Sequence, residues 1–204
     1  AISLFLTANS RTRFSAACMT PPALFALMFL VIGLAALLGV ILMAVYWPRL
    51  LPDDTVPEVE KPPGVLTELE TFVSQLESLA PLPVEGAEAR ITWACPDAPA
   101  KTPLVFLYLH GFSASRRESA PVTTELAGRF GANTFEARVA GHGCGATALS
   151  DTPASEWIKS ALQAFEVACA LGDSVVIVAM SNGASLATWL LLNAPDRTRI
   201  HALL

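Results

Sequence analysis

The sequence predicts an α/β domain, a mostly parallel sheet with helices on both faces, carried behind an N-terminal transmembrane helix. Three observations carry this prediction. Leu104–Leu109 (LVFLYL) and Ser174–Ala179 (SVVIVA) are short, continuous apolar runs bounded by turn residues, the pattern of strands buried on both faces. Between the strand-like runs lie stretches whose apolar residues recur three and four positions apart, so helices connect the strands. Finally, Ala23–Val45 carries no charge over 23 positions, where about 20 suffice to cross a hydrocarbon core.

That apolar segment inflates the averages of the 204-residue chain, 53% hydrophobic with mean hydropathy +0.50. Residues 1–22 precede it. Met19-Thr20-Pro21-Pro22 would make a natural start, so 1–18 are expected not to be translated. Tyr46 and Trp47 follow as interfacial aromatics. A cleavable signal peptide has a shorter apolar core and a small-residue exit, and neither is present, so an uncleaved anchor is expected. Arg11 and Arg13 favour a cytoplasmic N-terminus and hence a non-cytoplasmic domain, while Arg49 pulls the other way. Residues 46–64, rich in proline and acid, read as an extended stalk. The domain itself is expected over 65–204.

The net charge of -5 and pI near 5.2 leave no basic stripe for nucleic acid. Cys18, Cys95, Cys144 and Cys169 lack C-x-x-C spacing, and His110, His142 and His201 lack metal-ligand spacing. No metal or cofactor is therefore expected.

Within the domain, Thr67-x-x-Glu70 has the form of a capping box opening a helix in which Leu69, Phe72, Val73, Leu76 and Leu79 form one stripe. Ala89–Ala94 suggests an early strand and Pro96–Pro103 a turn. After Leu104–Leu109 the chain runs into His110-Gly111-Phe112. A helix is expected over Pro121–Phe130, with proline at its first position, Val122, Leu126 and Phe130 on one face and Gly131 closing it. The strand Thr134–Val139 then leads into the glycine-rich loop 141–145. Thr152-Pro153 opens another helix, with Trp157, Ile158, Ala161, Leu162 and Phe165 facing inward and Gly172 at its end. Beyond Ser174–Ala179 a helix is expected over Ala184–Leu192, with Trp189 as a packing residue. Pro195 breaks the chain, and Ile200–Leu204 begins a further strand.

Ala179-Met180-Ser181-Asn182-Gly183 sits between the last buried strand and its helix. In that context G-x-S-x-G forms a nucleophile elbow, a sharp corner that holds a serine oxygen out at the sheet's edge. Alanine replaces the first glycine here. A serine in such a turn is, taken alone, as readily a helix cap.

From Leu104 onward the sequence resembles the α/β-hydrolase superfamily, nearest to its bacterial carboxylesterase and lysophospholipase-like members. LYLHGF looks like the oxyanion strand and loop, RVAGHG like the loop usually written P-G-H-G, and AMSNGA like the elbow, in the family's order. Ala140 stands where that loop often has proline. The resemblance implies that Ser181 attacks an ester carbonyl and that the backbone amides of Phe112 and Asn182 hold the developing oxyanion. His110, Gly111 and Gly183 would shape the site. His110 and His142 are implied to brace loops, not to act as general bases; the sequence places no base near Cys144, so it is expected to be an inert loop thiol. The family's acid and histidine follow the elbow at a distance, so neither Asp196 nor His201 is assigned a catalytic role. The chain therefore reads as the N-terminal part of a longer, membrane-anchored serine esterase, inactive by itself, acting on a small or lipid-derived ester. A thioesterase on the same elbow, or a non-catalytic anchored binding module, are the alternatives.

Overall fold

The computed structural model describes residues 21–50, 55–79, 81–119 and 121–204, with the side chains of the first helix described from 24 to 45. The expectations for residues 1–18, Met19, Cys18, Arg11, Arg13, Asp53 and Asp54 lie outside the described residues, as do the side chains of Tyr46, Trp47 and Arg49. The chain forms two units, residues 1–51 and 52–204.

The first unit contains α1 (Pro21–Leu50), whose segment Leu24–Val45 has a mean hydropathy of 2.9. It is apolar on every side. Its length and composition suffice to span a membrane.

The second unit begins with an extended segment. The stretch expected as a stalk is laid along the domain at its C-terminal half. Val59 packs on the core, the Glu60 amide donates to Gln163 Oε1 (2.8 Å), Gln163 Nε2 donates to Glu60 O (2.7 Å), and Lys61 pairs with Glu166 at 3.3 Å. Next comes α2 (Leu69–Ser78). The capping box does not form: a 3-10 turn over Leu66–Glu68 shifts the helix start, and Glu70 instead accepts from Trp93 Nε1 at 2.6 Å. Leu69 and Val73 are buried, whereas Leu79 is exposed.

Among the described residues five strands, β1 (Arg90–Thr92), β2 (Thr102–Leu109), β3 (Asn133–Glu136), β4 (Gly172–Ala179) and β5 (Ile200–Leu203), form one sheet in the order β1-β3-β2-β4-β5. Only β1 runs antiparallel to its neighbour. Side chains alternate across a strand, so Val105, Leu107, Leu109, Val175 and Ile177 face the larger core, while Phe106 and Val176 face the smaller one. The larger core is closed by α2, α5 (Ala154–Leu171) and α6 (Asn182–Asn193). Each fully buried Leu, Ile or Phe there contributes about 1.5–3 kcal/mol.

The smaller core is covered by α3 (Val122–Arg129), which is rotated from expectation. Pro121 caps it from outside, Thr123 and Ala127 face inward, Leu126 packs on the core as expected, and Val122 and Phe130 are exposed although the Phe130 ring lies 5.8 Å from that of Phe106. Small residues let this helix approach the sheet closely, and Ser119 and Thr123 pair their hydroxyls at 3.0 Å. Gly131 closes it at φ 59. A six-residue helix, α4 (Ala146–Asp151), was not expected. β3 ends three residues before the predicted Val139, although the Ala137 amide still reaches Tyr108 O at 3.1 Å.

Candidate functional site

Two loops leave the C-terminal ends of neighbouring parallel strands, β2 and β4, in register at Leu109↔Ala179. They therefore emerge side by side.

The loop after β4 turns at Ser181, which is exposed and adopts φ 49, ψ -111, a combination that non-glycine residues rarely occupy. Three hydrogen bonds hold it there: Met180 N–H to Leu109 O (3.0 Å), Gly183 N–H to Met180 O (2.8 Å) and Ala184 N–H to Ser181 O (3.0 Å). A Cβ on Gly183 would collide with the carbonyl oxygens of Leu109 and His110, so only glycine lets α6 start this close to β2. Asn182 occupies the first helical position of α6, and its amide is one of the donors that a helix start leaves free.

The loop after β2 is pinned through the carbonyl of Gly111. That oxygen accepts from Ala114 N–H at 3.2 Å and lies 2.9 Å from His110 Nδ1. In a planar trans peptide the N–H points opposite to the C=O, so holding Gly111 O on one side aims the Phe112 amide to the other. Among the described residues, the Phe112 amide has no acceptor. The Gly111 amide is occupied by Glu118 Oε2 at 2.8 Å.

His110 is wholly buried. Its Nε2 lies 3.0 Å from the Val139 amide and must accept from it, so the ring is neutral with its proton on Nδ1. Burial lowers its pKa to about 4. With both nitrogens engaged it has no free valence for proton transfer. His142 is buried as well, with Nδ1 3.0 Å from Ala140 O and its ring against His110, Phe112 and Trp157 at centroid separations of 4.9, 5.9 and 5.6 Å. The positive φ of Gly141, Gly143 and Gly145 lets this loop fold under the ring.

His201 is on β5, between Ile200, in register with Val175, and Ala202, in register with Val176. Ser181 lies five residues beyond Val176, about 16 Å along the strand direction. Asp196 precedes β5 and is therefore at the opposite end of the sheet. Neither meets Ser181. Cys144 donates to Pro81 O at 2.9 Å and receives Arg138 Nη1 at 3.2 Å, an arrangement that ties down the loop. Cys169 is buried, its thiol pushed up to about 12. Among the described residues no group of His, Cys, Asp and Glu could hold a metal ion.

A cavity of about 650 Å³ adjoins the Phe112 loop, lined by Val84, Ala87, Phe112, Leu149 and Trp157 among others and by no Asp, Glu, Lys or Arg. Sequence reasoning missed Glu118, because a side chain that latches a loop from seven residues away leaves no spacing signature.

No family model matches the sequence, and no curated protein matches it. Solved structures are similar. One, reported with LipS and LipT, two metagenome-derived lipolytic enzymes, is 22% identical with a TM-score of 0.50, covering 58% of this chain and 44% of that one. Another, Est1E from Butyrivibrio proteoclasticus with bound ferulic acid, is 23% identical with a TM-score of 0.44, covering 57% and 46%. The chain thus spans less than half the length of either structure. Taken with the strand order β1-β3-β2-β4-β5 and the glycine-walled turn after β4, the first of these likenesses identifies the fold of the second unit as that of the α/β-hydrolases.

Proposed function

We propose that the protein is a membrane-anchored serine hydrolase that cleaves carboxylic esters through an acyl-enzyme on Ser181. One observation carries the reading. An exposed serine is held in a strained conformation at the C-terminal end of a central strand, beside a loop whose peptide plane aims a free amide away from its own hydrogen bonds.

In the proposed reaction Ser181 Oγ attacks the carbonyl carbon and loses its proton to a base. The carbonyl oxygen becomes an oxyanion held by the Phe112 and Asn182 amides, and collapse expels the alcohol, which takes up the proton. Water then releases the acid by the same route. Each oxyanion donor is worth about 3 kcal/mol, and the N-terminus of α6 adds favourable potential. His110 has both ring nitrogens engaged, His142 is buried with Nδ1 against Ala140 O, and His201 lies on β5 away from Ser181, so the reading draws its base from an acid–histidine pair outside these residues. The cavity beside Phe112, lined by no Asp, Glu, Lys or Arg, would suit a neutral ester group better than an ionised one, although Ser181 is not part of its lining. The apolar helix α1 would anchor the domain to a bilayer, from which a lipid-derived ester could be drawn.

A thioester would be attacked through the same geometry. A non-catalytic anchored binding module is the other reading. The test is a fluorophosphonate probe on the full-length protein. Covalent labelling that disappears in Ser181→Ala is expected. A folded, unlabelled wild-type protein would replace the hydrolase with the binding module.

A further inference from the structure

We propose that Glu118 is a positioning residue that aims the oxyanion loop, through a carboxylate that holds the Gly111 amide and the Tyr108 hydroxyl together; this rests on the hydrolase reading of Ser181. Glu118 ends a 3-10 turn over Arg116–Glu118 that starts at Ser115, whose carbonyl accepts the Glu118 amide at 3.0 Å. The turn carries the carboxylate back under the loop after β2. There Oε2 accepts from Gly111 N–H at 2.8 Å and from Tyr108 O–H at 3.0 Å. A Cβ at residue 111 would lie 3.2 Å from Oε1, so the carboxylate sits in close contact with the Gly111 backbone.

Gly111 is thereby fixed at both of its peptide groups. Its amide is held by Glu118, while its carbonyl is held by Ala114 and His110. Fixing both planes leaves the Phe112 amide one direction. It also removes the Gly111 amide as a competing donor, so a single loop amide faces the position of the oxyanion. Tyr108 is almost wholly buried and its phenol is pushed above the ordinary tyrosine range by that burial, so it stays protonated and remains a donor. Without the carboxylate, the adjoining Ser113, held at φ 60, can relax and turn the Phe112 plane.

The experiment compares Glu118→Ala, Glu118→Gln and wild-type full-length protein by the second-order rate of fluorophosphonate labelling at Ser181, at a temperature where all are folded. Glu118→Ala is expected to label about 10–100-fold more slowly, the effect of a misaimed oxyanion donor. Glu118→Gln keeps a carbonyl oxygen for the Gly111 amide and is expected to recover to within about threefold of wild type. A purely structural role would lower the melting midpoint without this rate pattern. Labelling of folded Glu118→Ala at the wild-type rate, or Glu118→Gln as slow as Glu118→Ala, overturns the proposal. Should Glu118→Ala fail to fold, Tyr108→Phe, which keeps the ring and deletes only one donor, is expected to slow labelling about threefold, and an unchanged rate there overturns the proposal as well. An unlabelled wild-type protein overturns the hydrolase reading and this proposal with it.

Discussion

Acid should weaken the fold through His110, and the size of the effect follows from its surroundings. The ring is wholly buried under the loop after β2, and that burial lowers its pKa from 6.5 to about 4. Its Nε2 faces the Val139 amide at 3.0 Å, so a proton placed there would set two donors against each other. In the unfolded chain the same ring takes up a proton near 6.5. Between pH 6.5 and about 4 the unfolded state therefore binds more protons than the folded one, and stability falls as pH falls through that window. Above 6.5 neither state is protonated and the contribution no longer changes. At about 1.36 kcal/mol per pH unit, the gap between 6.5 and about 4 comes to about 3 kcal/mol. Carboxylates titrate in the same range, so the measurement is a difference between wild type and His110→Asn, which cannot take up a proton. Guanidinium unfolding of the full-length protein in micelles, followed by tryptophan fluorescence at pH 7 and pH 4, gives both stabilities. The variant is expected to be the weaker at pH 7, and its deficit should shrink by about 3 kcal/mol at pH 4. Parallel loss of stability in the two proteins would refute the assignment of His110 as a buried neutral ring.

Three further outcomes are expected. Gly183→Ala places a methyl against the carbonyls of Leu109 and His110, which belong to a central strand end and cannot move aside; the variant should lose at least about 3 kcal/mol by thermal melting and lose Ser181 labelling. Asn133→Ala removes an acceptor for the Ala94 amide and donors to Ala100 O and Leu171 O, and should cost about 2–4 kcal/mol in chemical denaturation, whereas a loss below about 0.5 kcal/mol would show that water replaces those bonds. The full-length protein should stay with membranes through carbonate extraction, and deletion of residues 1 to 47 should release it; a soluble full-length protein would remove the anchor.

What the sequence revealed was whatever burial imposes residue by residue. β2 and β4 were legible because strands covered on both faces must be apolar along their length, and Gly183 because nothing larger fits under the turn. Features set by competition between partners were not legible. The box at Thr67 and Glu70 had the right spacing, but the Trp93 indole claims Glu70 and a 3-10 turn shifts the helix start. The face of α3 was misjudged because Thr123, polar by composition, is buried with its hydroxyl paired to Ser119. The proline-rich segment before Gly64 looked like a free spacer since its contacts to Gln163 and Glu166 cross a hundred residues of chain. Glu118 was hidden for a related reason: its value lies in two partners, one of them a backbone amide, and neither marks the sequence.

The distribution of strain connects fold and site. Among the described residues only Ser113 and Ser181 hold positive φ without being glycine, and they sit on the two loops that leave the adjacent ends of β2 and β4. Each such residue costs about 1–3 kcal/mol and persists only where its surroundings over-determine it. Ser113 lies inside the turn closed by Ala114 on Gly111 O, with Glu118 and His110 fixing that glycine, and Ser181 lies inside the turn closed by Gly183 on Met180 O, with Met180 hydrogen-bonded to Leu109. These clamps share one anchor. The end of β2, from Leu109 to Gly111, holds the first loop through the Gly111 peptide and the second through the Leu109 carbonyl, so neither loop can relax without loosening the other. A parallel pair of strands brings two loops to one end of any such sheet; the hydrogen bonds at the end of β2 hold these two in a fixed relation, as the proposed nucleophile and oxyanion donor would need to be.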